Sequence, residues 1–144
     1  MMIKNFFVFD TNCFISANLL INSTSAMAFD KVLIYGRIAL SNMVINEYAE
    51  VLYRSKLDRY LNQEKRQKAL AFIIKNSILF EPVEIVTDCR DSNDNKFLEL
   101  ALACEAACII SGDSDLLTLH PFRGIPILTP ANFLVIFDSL RGVH

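Results

Sequence analysis

Asp10, Glu47, Asp94 and Asp113 are acids placed where four separate stretches of this 144-residue chain come to an end. Asp10 closes the apolar run Phe6-Phe7-Val8-Phe9, and Asp113 follows Cys108-Ile109-Ile110-Ser111-Gly112. Glu47 lies one turn into a helical pattern that follows Ile38-Ala39-Leu40, and Asp94 opens the pattern through Phe97-Leu98-Glu99-Leu100-Ala101. If the apolar runs are parallel strands, all four carboxylates gather at one edge of one sheet. Like charges held that close are unstable without cations, so the arrangement predicts a divalent metal site.

Each acid also has an ordinary reading. Asp10 in Asp10-Thr11-Asn12 could be a strand-end turn residue. Glu47 borders the stripe of Val44 and Val51, where a carboxylate needs either a metal or an ion-pair partner. Glu50 carries no apolar flank and reads as a surface acid. With Phe97, Ala101 and Cys104 as an inward helix face, 100° per residue places Asp94 on that face and Glu99 opposite. A first-turn acid is favoured by the helix dipole, but the dipole does not require it to point inward. Asp91, in the preceding loop, is expected to cap the helix or support the site. Asp113 and Asp115 flank Ser114 after Gly112, where glycine permits a tight turn close to a ligand; Asp113 is the stronger candidate.

The elements that must position these acids alternate along the chain. Strands are expected at about 3–9, Arg37–Leu40, Pro82–Val86, Ala107–Ser111 and Pro126–Leu128. Helices are expected over Ala26–Tyr35, capped from Ser23-Thr24-Ser25 and ended by Gly36, and after a cap at Ser41 or Asn42. Further helices are expected over Gln63–Ser77, from Asp94 to about Ala106, and from Thr129-Pro130 with proline early. Alternating βα units imply an α/β protein with a parallel sheet, helices on both faces and right-handed crossovers. Ligand sites of such sheets lie outside the carboxyl ends of the strands.

Length and composition point to one domain over 1–144, with 53% hydrophobic residues and a mean hydropathy of +0.33 suited to strands buried on both faces. No apolar run approaches the roughly 18 residues of a membrane span. The N-terminus reads as a strand and not a signal peptide, so a cytoplasmic location is expected. Cys13, Cys89, Cys104 and Cys108 form no CxxC pair, and neither His120 nor His144 completes a zinc set, so the thiols are expected to be buried and reduced. The formal charge of −2 misleads about partners. Setting aside Asp10, Glu47, Asp94, Asp113 and Asp115 leaves 11 of the 16 acids against 14 Lys and Arg. The segment 54–75 is basic, with Tyr53 and Tyr60 interleaved, and reads equally as a phosphate-contacting face or a solvated helix surface.

With these residues in place, the chain resembles a PIN domain from about Ile3 to Phe137. The resemblance rests on Val8-Phe9-Asp10-Thr11-Asn12, on Leu40-Ser41 followed by Glu47-Tyr48-Ala49-Glu50-Val51-Leu52, and on Asp91-Ser92-Asn93-Asp94-Asn95-Lys96-Phe97. Ile109-Ile110-Ser111-Gly112-Asp113-Ser114-Asp115-Leu116-Leu117 and Ile127-Leu128-Thr129-Pro130-Ala131-Asn132-Phe133-Leu134 follow in the same order. It is nearest to the bacterial branch of toxin components of toxin–antitoxin systems, the VapC-like ribonucleases. The resemblance implies a three-layer α/β/α fold with a central parallel sheet of four to five strands. It also implies Mg²⁺- or Mn²⁺-dependent ribonuclease activity. Asp10, Glu47, Asp94 and Asp113 would be the catalytic and metal-binding acids, Asp115 a further ligand, and Asn12 and Ser111 supporting residues. RNA would be the substrate, a cognate antitoxin protein the partner, and a homodimer a further expectation.

Phosphodiester hydrolysis needs an activated water, an in-line geometry and neutralised charge on the leaving oxygen, all of which Mg²⁺ can supply. Asp10, Asp94 and Asp113 are assigned to the principal ion, Glu47 to the same ion directly or through water, and Asp115 to a second ion or the surroundings. Other functions use similar folds. An aspartate-nucleophile phosphatase would want an acid at Asn12, and a receiver domain would want a lysine after Leu128. A PIN nuclease of RNA processing outside any toxin system, or a non-catalytic RNA- or protein-binding module, stays open; the module would show no Mg²⁺-dependent cleavage.

Overall fold

The computed structural model describes residues 5–141; Ile3 of the expected first strand and His144 lie outside them. Five strands form one parallel sheet in the order β3-β2-β1-β4-β5. They are β1 Phe6–Phe9, β2 Arg37–Leu40, β3 Ser77–Leu79, β4 Cys108–Ile110 and β5 Ile127–Leu128. Among the described residues, seven α-helices connect or flank them: α1 Thr11–Leu19, α2 Thr24–Tyr35, α3 Asn42–Leu52, α4 Gln63–Lys75, α5 Asn95–Cys104, α6 Ser114–Leu117 and α7 Pro130–Arg141. The fold is the expected three-layer α/β/α arrangement.

The inner strands are short and mostly apolar because both faces are covered: Phe7, Val8, Ile38, Ala39, Ile109 and Ile110 are fully buried. One layer is knit by α1, α2 and α7, where Phe7 meets Phe133 and Phe137 edge-on at 5.7 and 5.5 Å. Helix α5 packs against β1, β2 and β4. Strand order runs outward from β1 twice, to β2 and β3 on one side and to β4 and β5 on the other. The connections therefore reverse direction between β1 and β4, which opens a crevice at the carboxyl ends of those two strands.

Local sequence explains most boundaries. Ser23 and Ser41 accept the N–H groups of Ala26 and Val44 as caps of α2 and α3, and Asn62 accepts that of Lys65 at α4. The expected strand Pro82–Val86 is not formed. Its place beside β2 is taken by Ser77–Leu79, which leaves α4 directly and pairs with Ile38, Ala39 and Leu40. The ladder ends when the Phe80 N–H bonds the Leu40 carbonyl at 2.7 Å, and Pro82 then offers no N–H to continue it. Val83 and Ile85 are consequently 94% and 84% exposed. Val86 alone returns inward, its N–H donated to Glu99 Oε2 at 2.9 Å, so Glu99 fastens this segment on the side away from the acids.

Two helices have no counterpart in the sequence reading. Helix α1 follows Asp10 without a break, and its buried residues Cys13, Phe14 and Ile15 are consecutive, so no 3.6-residue period marks it. Helix α6 is a single turn after Asp113. All four cysteines are buried and free, as expected, and burial pushes the thiols of Cys104 and Cys108 up to about 12. No described helix is long and apolar enough to cross a membrane.

Candidate active site

The crevice predicted by the strand order is present as a cleft of about 440 Å³. Asp10, Glu47, Asp94 and Asp113 all line it, together with Thr11, Asn12, Asn46, Asp91, Asn93 and Lys96. Residues 84 positions apart in sequence, Asp10 and Asp94, thus open onto one space. The four acids do not share one environment, and their differences define the site.

Asp10 and Asp113 are each partly occupied as helix caps. Asp10 Oδ1 accepts the N–H of Cys13 at 2.8 Å and so caps α1, while Oδ2 accepts Ser111 Oγ and the Gly112 N–H. Burial raises the carboxyl of Asp10 above its usual range, opposed by those hydrogen bonds. Asp113 caps α6, its Oδ1 accepting the N–H of Asp115 at 2.7 Å. Ser111, fully buried, joins the two strand ends, because its hydroxyl donates to Asp10 and accepts the N–H of Asp113 at 2.9 Å. Ser111→Ala leaves that N–H without its partner and Asp10 Oδ2 with only the 3.3 Å contact from Gly112. It is expected to lower stability by about 1–3 kcal/mol in chemical denaturation.

Glu47 is held by three donors. Oε2 accepts the Thr11 hydroxyl, and Oε1 accepts Lys96 Nζ and, at 2.8 Å, Asn93 Nδ2. Lys96 Nζ also donates to Asn93 Oδ1 at 2.9 Å. Burial would raise the Glu47 carboxyl, but the Lys96, Thr11 and Asn93 bonds outweigh it and hold the group below its usual range. Glu47 is thus ion-paired with Lys96.

Asp94 is the opposite case. It is 9% exposed, makes no capping bond to α5, and its Oδ2 is buried without a hydrogen-bond partner. Burial, reinforced by the charge of Asp113, pushes its carboxyl up to about 7. A 3-10 turn over Ser92–Asp94, capped by Asp91 through the Asn93 N–H, sets Asp94 at the cleft instead of starting α5 with it. Asn95 anchors the same loop by accepting the Cys89 N–H at 2.8 Å.

Among the described residues, no three His, Cys, Asp or Glu side chains are drawn together tightly enough to enclose an ion. The donors instead form an oxygen-lined cleft in which one buried oxygen, Oδ2 of Asp94, has no hydrogen-bond partner. That suits Mg²⁺, which keeps several waters and takes only one or two carboxylates, better than a metal that needs a closed protein cage. The unpartnered oxygen of Asp94 lies beside Asp113 and could take a cation.

The remaining sequence candidates divide. Asn12 is exposed at the cleft wall. Asp115 is half-buried and does not line the cleft; its charge acts on Cys89 together with those of Asp94 and Asp113. Glu50 is exposed but does line the cleft, paired with Arg54 at 3.3 Å. Within the basic segment, Arg66 is 6% exposed and structural, donating to the Leu52 and Arg54 carbonyls and to Asp58. His120 accepts the Ile127 N–H at 2.9 Å, a structural role. Thr11, Asn93 and Lys96 had no assigned role from sequence. Lys96 carried one usable signal, a cation in the first turn of a helix, where the dipole disfavours it.

A PIN domain family model matches residues 7–115, a span that holds all five candidate acids. An uncharacterized protein of Methanocaldococcus jannaschii is 34% identical over 119 residues, covering 78% of this chain and 74% of that one. Among solved structures, PAE2754 from Pyrobaculum aerophilum matches with a TM-score of 0.61 at 12% identity, over 93% of this chain and 90% of that chain. VapBC2 from Rickettsia felis, bound to a DNA fragment from their promoter, matches at 0.57 and 12% identity, over 85% and 96%. FitAcB from Neisseria gonorrhoeae matches at 0.53 and 17% identity, over 87% and 98%. These low identities establish a shared fold. The family match over most of the chain, joined to the acid-lined cleft at the reversal between β1 and β4, places this protein in the PIN domain family.

Proposed function

We propose that the chain is a metal-dependent endoribonuclease that hydrolyses RNA phosphodiester bonds, and that it is the toxin component of a toxin–antitoxin system. The observation that carries the nuclease reading is the buried, unpartnered Asp94 oxygen beside Asp113 in an acidic cleft at the sheet's switch point. The toxin assignment is supported by the sequence resemblance and by the fold shared with VapBC2 and FitAcB.

Asp94 and Asp113, with Asp10, would hold one Mg²⁺ or Mn²⁺ directly or through the ion's retained waters. When bound, the ion supplies an acidified water and neutralises charge on the phosphate and leaving oxygen. Ser111 keeps Asp10 aimed into the cleft. Glu47, kept ionised by Thr11, Asn93 and Lys96, would accept a hydrogen bond from the attacking water and orient it. Asp115 would act on the site from outside the cleft. Asn12 and Arg54, both on the cleft wall, are placed to meet the RNA backbone. No covalent nucleophile is required. The cleft's acidity supports the partner reading: a cognate antitoxin would cover it and offer a basic side chain to Asp94 and Asp113. A homodimer is the proposed assembly.

The test is RNA cleavage by the purified chain in Mg²⁺, Mn²⁺ or EDTA, with Asp10→Asn alongside. Structured or unstructured RNA should be cut in metal, with loss of at least about 100-fold for the variant and complete loss in EDTA, as expected when a ligand-holding group is removed. Undiminished cutting in EDTA or by Asp10→Asn would sink the reading.

A further inference from the structure

The cleft contains a cation of its own. Six carboxylates line it, those of Asp10, Glu47, Glu50, Asp91, Asp94 and Asp113, against Lys96 and Arg54. Arg54 pairs with Glu50 at the rim and is about half exposed. The Lys96 side chain is only 10% exposed and reaches Glu47, whose side chain is 14% exposed. Burying an ammonium and ordering a long side chain are both unfavourable, and Lys96 lies in the first turn of α5, where the dipole repels it. Helix preference therefore does not explain Lys96; its acceptors Glu47 and Asn93 do. The acids thus fall into two places: Glu47 with a cation already supplied by the chain, and Asp94 beside Asp113 with a buried oxygen that has none.

We propose that the Lys96 ammonium is a built-in cation at Glu47, standing where a second divalent ion would otherwise sit, so that the cleft takes one metal ion per chain. This deepens the nuclease reading and rests on it for its role: Lys96 is a positioning residue that holds Glu47 in one orientation. A two-ion site would need Glu47 to exchange Lys96 for a metal, breaking a part-buried ion pair and stranding the ammonium.

The prediction is read by counting Mn²⁺ bound to the full chain without RNA, by calorimetric titration and by the free-Mn²⁺ spin-resonance signal. The parent and Lys96→Arg should bind one ion. Lys96→Met, which keeps the bulk and removes the charge, should bind two. Glu47→Gln should keep the single ion, because in this assignment Glu47 is not its ligand. Melting curves in EDTA identify any variant that fails to fold. Should Lys96→Met be such a case, the parent count and Glu47→Gln decide. Two ions or none in the parent, a single ion in folded Lys96→Met, or loss of the ion in Glu47→Gln would each overturn the proposal. RNA cleavage does not enter this readout. A chain that binds one ion and cuts no RNA would sink the nuclease function while leaving the assignment of Lys96 intact.

Discussion

Asp94→Asn is expected to abolish RNA cleavage, by about 10³-fold or more, and at the same time to make the metal-free protein more stable. Both effects follow from one geometry. The Asp94 carboxylate is buried, has an oxygen with no hydrogen-bond partner, and faces Asp113. Removing a group that only supports a metal ligand costs about 10- to 100-fold, so losing the ligand itself should cost more. The stability effect has a definite sign. The carboxyl titrates near 3.8 in the unfolded chain and is pushed up to about 7 by burial and by Asp113. The folded state therefore holds the proton more tightly, and stability falls as pH rises from about 4 to about 7. In EDTA, the parent protein should lose melting temperature across that window. The Asn variant should lose less, and should melt about 3 °C or more higher at pH 7. Saturating Mg²⁺ should stabilise the parent and leave the variant unmoved, since an ion that binds only the folded state raises its stability. A variant that melts lower than the parent at pH 7 in EDTA, or that still cleaves RNA, would refute this picture of Asp94.

The largest expected loss of stability lies at Gly36, between α2 and β2. Its φ of −171° is extended backbone open to any residue, so conformational freedom is not the reason for glycine. Space is. A Cβ there would stand 2.1 Å from the backbone oxygen of Asn5 and 3.0 Å from a ring carbon of Phe7. That same oxygen accepts the Arg37 N–H at 2.8 Å, the bond that starts the pairing of β1 with β2. The clash is with backbone, so no side-chain rotation relieves it; β1 must shift against β2, or the pairing must open. Gly36→Ala should cost about 3 kcal/mol or more, at or above the upper end for overpacked sites. The loss would be read as a lower denaturant midpoint at unchanged slope. Because β1 carries Asp10 at its far end, metal affinity should weaken in the same variant. A midpoint within about 0.5 kcal/mol of the parent would show that the β1–β2 entry is not tightly packed.

Much of this molecule was legible along the chain because its signals are local. Apolar runs of four or five residues, each closed by an acid or a capping serine, specify parallel strands and where they end. A parallel sheet then puts Asp10 and Asp113 at the same edge, the carboxyl ends of their strands. The 100° helical period likewise separated Asp94 from Glu99, and the structure puts Asp94 in the cleft and Glu99 at Val86. Helix α1 escaped because its buried residues are consecutive, and β3 was placed too late because Val83 and Ile85 look like strand residues yet face solvent. A short apolar run does not declare whether a neighbouring strand has room for it.

What the sequence by itself determined is the inventory and its rough assembly: the acids, the parallel sheet, and the sheet edge at which they meet. What only the tertiary structure decided is the state of each acid. Glu47 and Lys96 are 49 positions apart, and whether they pair depends on how α3 packs against α5. Asp10 and Ser111 are 101 apart and meet only because β1 and β4 are neighbours. The missing partner of Asp94 is a property of every surface around it. Burial and hydrogen-bond partners are sums over contacts between remote segments, so no local pattern encodes which carboxylate is capped, which is ion-paired and which is left for a cation.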